Sequence, residues 1–126
     1  MRLAYAAAFA ALIASPTFAA DVKGEIVNAI EHAEYAAEAS SIAEVHAHLH
    51  HALNCIVGPG GNGFEAHEMN PCVGSGNGII PDTADAAAKA KLEAAAGKAR
   101  DGIATDDVAT AKADATFVAN VLNGLK

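Results

Sequence analysis

The chain has 126 residues, 15 acidic against 8 basic side chains for a formal net charge of −7, and no tryptophan, with alanine its dominant apolar residue. That charge disfavours nucleic acid and anionic lipid as partners and favours cations. Alanine promotes helix but buries little area, so a small domain built from it needs a staple such as a disulfide or a metal.

The first element is "MRLAYAAAFAALIASPTFAA". Arg2 gives a positive start, residues 3–14 an uncharged apolar run, and Ala19 and Ala20 a small-residue cleavage site. This is the pattern of a secretory signal peptide over residues 1–20. The apolar run is too short to span a bilayer comfortably. The expected product, residues 21–126, is one small soluble domain, periplasmic or secreted, with no membrane insertion.

Val22, Ile26, Ile30, Ala33 and Ala37 recur at helical spacing and predict a helix over about 22–39. Ser41 with Glu44 fits a capping box that opens a second helix over 42–57, with Ile42, Val45, Leu49, Leu53 and Ile56 on one face. It stops at Gly58-Pro59, and the short connection makes the pair an antiparallel hairpin.

From Gly58 the composition turns glycine-rich, and neither helical nor strand periodicity survives over 58–81. A loop this long in a small domain is tethered or functional. Cys55 and Cys72, an even pair in a chain bound for an oxidising compartment, supply the tether as a disulfide. A Cys–Cys metal site is the alternative, but the spacing matches no zinc motif.

Pro81-Asp82-Thr83 opens a third helix, placed at 83–100, and Thr105-Asp106-Asp107 caps a fourth over 105–123, with Val108, Ala111, Ala115, Val118 and Leu122 as its stripe. Two hairpins joined by a long loop define an all-α four-helix bundle.

Five of the six histidines fall in the first hairpin: His32, then His46, His48, His50 and His51. On a helix His46 and His50 share a flank one turn apart, the strongest chelating pair by spacing, while His48 and His51 share another with Glu44. If the chain turns at Ser40-Ser41, His32 comes level with Leu49 and can supply a third donor. Two imidazoles plus one more nitrogen or carboxylate suit copper(II), nickel(II) or zinc(II), copper(II) standing first in the affinity order. His67, with Met69 nearby, is a weaker candidate ligand in the loop, and Glu44 another. No nucleophile accompanies the histidines, so no enzymatic activity is expected. Covalent haem is excluded by the lack of a CxxCH motif.

The stretches "EHAEYAAEASS", "HLHHALN" and "KLEAAAGKARDG" resemble the small metal-binding proteins of the bacterial periplasm, secreted four-helix bundles rich in histidine and alanine. The resemblance implies divalent-metal binding without known catalysis. His32-Ala33 and His51-Ala52 match that family's histidine–alanine pattern, and His46, His48 and His50 match it loosely. Lys91 and Lys98 stand where the family's second hairpin carries histidines. The expectation is therefore divalent-metal buffering or carriage by the first hairpin. Two other readings stay open: an envelope interaction protein that works through the glycine-rich loop, and a bundle that holds haem non-covalently. Nothing in the sequence names a protein partner.

Overall fold

The computed structural model describes residues 19–126, so the expected signal peptide lies, but for Ala19 and Ala20, outside the described residues. Among the described residues there are five helices and no strand: α1 (Val22–Glu38), α2 (Ile42–Val57), α3 (Ile79–Asp82), α4 (Ala86–Ala104) and α5 (Val108–Asn123). None of these helices is long and apolar enough to cross a membrane.

Each of the four long helices starts on a side chain that accepts from an otherwise unpaired backbone N–H, the usual way a helix N-terminus is satisfied. Asp21 accepts from Gly24, Ser41 from Glu44, Asp85 from Ala88 and Asp107 from Thr110. Glu44 returns its carboxylate to the Ser40 N–H at 3.1 Å, which completes the box one residue earlier than expected.

These caps also account for where the sequence reading of the second half needs correction. Pro81 and Asp82 do not open the third long helix but end the short α3, which begins at Ile79 inside the expected loop, and Thr83 closes it. The next helix therefore begins at Ala86, after the Asp85 cap, and not at residue 83. It runs past residue 100 because Gly102 is a packing position, not a stop. A Cβ there would lie 2.7 Å from Leu49 Cδ1. Asp107 likewise delays the last helix to Val108.

The core is built from small residues brought close and a few large ones that fill between them. Ala29, Ala33 and Ala36 of α1, Ala52 of α2, Ala95, Ala96 and Ala99 of α4 and Ala111 and Ala115 of α5 have no exposed surface. Leu49, Leu53, Ile56, Ile79, Leu92 and Leu122 are the bulkiest apolar side chains enclosed with them. α1 packs against α2 and α5, and α4 packs against α5 and α2. On the second pair Lys98 Nζ lies 3.4 Å from Asp114 Oδ1, so this lysine is engaged in a local ion pair.

Segment 58–78 consists of turns held down at several points. Cys55 and Cys72 are joined by a disulfide with their Cα atoms 5.2 Å apart. Asn54, fully buried on α2, donates its side-chain amide to the carbonyls of Glu65 (3.0 Å), Glu68 (3.4 Å) and Met69 (3.1 Å) and accepts from the Glu65 N–H (2.9 Å). At the segment's far end Asp21 N donates to Ser75 O, and buried Glu25 accepts from Gly78 N at 3.1 Å. Gly58 and Gly78, both at positive φ, meet backbone to backbone where the segment closes. A Cβ on Gly78 would come within 2.7 Å of Gly58 N, so neither position has room for a side chain.

Candidate metal centre

His32 sits at the edge of the buried α1 stripe, three residues after Ala29 and four before Ala36. The α1–α2 link spans only Ala39 to Ser41, and α1 buries the small residues Ala29, Ala33 and Ala36 beside His32, so the two helices lie close enough for imidazoles to meet between them. His32 Nδ1 is 3.3 Å from His48 Nδ1 and 3.3 Å from His51 Nδ1. Ligand atoms of the three residues all lie within 4.8 Å of one another, and no other histidine, cysteine or carboxylate group among the described residues forms such a set. This trio of histidines could hold a divalent metal ion.

The protonation chemistry of the trio supports that capacity. One imidazole nitrogen carries either a proton or a lone pair, never both. His32 Nδ1 therefore cannot make a full hydrogen bond to both neighbours at once. A cation between the rings accepts all three lone pairs without that conflict. Burial pushes the His32 imidazole below its usual value, helped by His51 and His48 and opposed by Glu31. Burial likewise lowers His51, against the opposing pull of Glu68. Both shifts favour the neutral ring, which is the form that ligates.

Two further side chains border the group. Tyr35, one turn beyond Glu31 on α1, sets its ring edge-on to His32 and His48, with centroids 5.7 and 5.3 Å apart, while its hydroxyl donates to Glu31. Glu68 of the 58–78 segment places Oε2 3.3 Å from His51 Nε2. A shallow depression lined by Tyr35, Ser40, Glu44 and His48 opens beside the site.

The other candidate residues stand elsewhere. His46 points its Nε2 at the backbone carbonyl of Thr105, 2.8 Å away, in the connection between α4 and α5. His50 has a buried Nδ1 without a hydrogen-bond partner and is not part of the trio. Exposed His67 uses its backbone N–H on Glu65, and Glu44 serves the α2 cap. Sequence reasoning did not single out Glu68 or Asn54. The available signal was Asn54 itself, an amide between Leu53 and Cys55 on an otherwise apolar helix end, which marks backbone laid over it.

The lowered histidines predict how stability depends on pH. In the unfolded chain these imidazoles take up protons near pH 6.5, whereas the folded, metal-free protein resists until lower pH. Between those points the unfolded state holds more protons, so stability falls as pH drops below about 6.5. Buried Glu25 works in the opposite sense. Burial raises its carboxyl pKa, and its contribution is present below 4.5 and lost as pH rises through the folded value. Thermal unfolding of chelator-treated protein should show a lower midpoint at pH 5.5 than at pH 7.5, and the His32→Ala, His51→Ala double variant should lose most of that difference.

No family model matches the chain, and comparison with curated proteins and with solved structures gives no match.

Proposed function

We propose that this chain binds a divalent transition metal through His32, His48 and His51 and serves to buffer or carry it, without catalysis, in the periplasm or outside the cell. In this reading residues 1–20 are a cleaved signal peptide, and the four long helices act as a four-helix bundle of two hairpins linked by the disulfide-tethered segment. One observation carries it: three Nδ1 atoms from two helices converge, with two of their separations at 3.3 Å.

That spacing also bears on which metal fits. Zinc–imidazole bonds are about 2.0–2.1 Å, so tetrahedral angles set two such nitrogens roughly 3.3–3.4 Å apart and right angles roughly 2.9 Å apart. The two 3.3 Å separations match the tetrahedral value, which supports zinc(II) as the metal, with a fourth position left for solvent or for a receiving ligand. Copper(II) leads the general affinity order but prefers tetragonal sites, so it is the main competitor for these nitrogens. Calorimetric titration of tag-free protein at pH 7.5 with zinc(II), copper(II) and nickel(II) tests the proposal. Micromolar or tighter binding of one zinc, worth roughly 8 kcal/mol or more, is expected. Absence of binding by all three metals overturns it.

A further inference from the structure

We propose that Glu68, in the disulfide-tethered segment, is a positioning residue for this metal centre: it holds His51 as the Nε2–H tautomer and thereby turns a bare Nδ1 toward His32 and His48. The proposal rests on the metal reading above and assigns the segment a part in it.

A carboxylate has no hydrogen to give, so the 3.3 Å approach of Glu68 Oε2 to His51 Nε2 is favourable when the ring donates there. A neutral His51 with its proton on Nε2 has its lone pair on Nδ1, the atom 3.3 Å from His32 Nδ1. A carboxylate behind a ligating imidazole fixes the ring's orientation and raises its basicity, and such outer partners commonly carry a tenfold to hundredfold share of metal affinity. The contact is half-buried: the His51 side chain is 13% exposed and that of Glu68 36%.

The placement of Glu68 is built rather than incidental. Asn54 lies one turn after His51 on the same helix, and its amide grips the backbone at Glu65, Glu68 and Met69. The next residue, Cys55, is bonded to Cys72, and Asn28 of α1 donates to Pro71 O at 3.3 Å. The backbone carrying Glu68 is thus fixed to both helices that supply the histidines.

Long-range nitrogen–proton NMR of the imidazoles in metal-free protein, with zinc affinity measured by chelator competition, tests this in the wild type, Glu68→Ala and Glu68→Gln. The wild type should show His51 protonated on Nε2. Glu68→Ala should mix the His51 tautomers and lose tenfold or more in zinc affinity. Glu68→Gln, whose amide oxygen can still accept from Nε2–H, should recover most of both. A wild-type His51 protonated on Nδ1, or a Glu68→Ala affinity within twofold of wild type, overturns the role of Glu68 while leaving the metal reading intact. A wild type that takes up no zinc overturns the metal reading, and this proposal with it.

Discussion

Replacing His32 by alanine should lower zinc affinity by at least about 100-fold, close to 2.8 kcal/mol. His32 Nδ1 is the atom that stands 3.3 Å from both other ring nitrogens, and it is the donor that α1 contributes to the trio. Without it His48 and His51 remain as a two-nitrogen pair on a single helix. The His46→Ala, His50→Ala double variant provides the contrast. Neither residue belongs to the converging trio, so this variant should bind zinc within about threefold of wild type, or well under 1 kcal/mol. Parallel competition titrations of the two variants decide between the flanks of α2. A double variant that loses more affinity than His32→Ala would return the site to the His46–His50 flank.

The contrast also marks how far the sequence could be read. The turn at Ser40-Ser41 sets His32 near residue 49, and the structure places it against His48 and His51 on either side of that position. Helical spacing likewise separated His46 and His50 from His48 and His51. Spacing alone could not say which flank faces α1. α2 packs against α1 on one side and against α4 and α5 elsewhere. Alanines border both flanks, so the apolar stripe of Val45, Leu49, Leu53 and Ile56 points inward without choosing a neighbour for either. The choice is made by long-range contacts: Gly102 against Leu49, and the Thr105 carbonyl that takes up His46.

The glycine-rich segment was legible only as a tethered loop. Its shape depends on the side chain of Asn54 and on Gly58 and Gly78 meeting backbone to backbone, pairings that leave no periodic trace. Helix starts fared unevenly for a related reason. Ser41 has one clear reading, whereas Pro81, Asp82, Thr83 and Asp85 offer several competing stops and starts, and α3 uses the first three of them while Asp85 starts α4.

Removing the disulfide should cost the fold more than any surface change. The bond spans 17 residues of sequence, and closing a loop of that size is worth about 3 kcal/mol in the chain-entropy account. Both sulfurs are buried, so the Cys55→Ser, Cys72→Ser double variant also places two hydroxyls in the core. Its thermal midpoint should fall by roughly 10–20 °C, read by circular dichroism in metal-free protein. The loss should be partly recovered by zinc, since a ligand at 100 times its Kd stabilises the folded state by about 2.7 kcal/mol. An unchanged midpoint would show that Asn54 and the glycine contacts hold the segment without the bond.

If His32, His48 and His51 hold the metal through Nδ1, one spectrum reports on all three. Long-range nitrogen–proton NMR of the imidazole rings, recorded before and after one equivalent of zinc at pH 7.5, reports ligation at each ring nitrogen separately. The Nδ1 signals of His32, His48 and His51 should shift together and saturate at one equivalent, while those of His46, His50 and His67 stay where they were. Zinc-induced shifts at His46 and His50 with the trio unmoved, or no shift at any histidine, would contradict it.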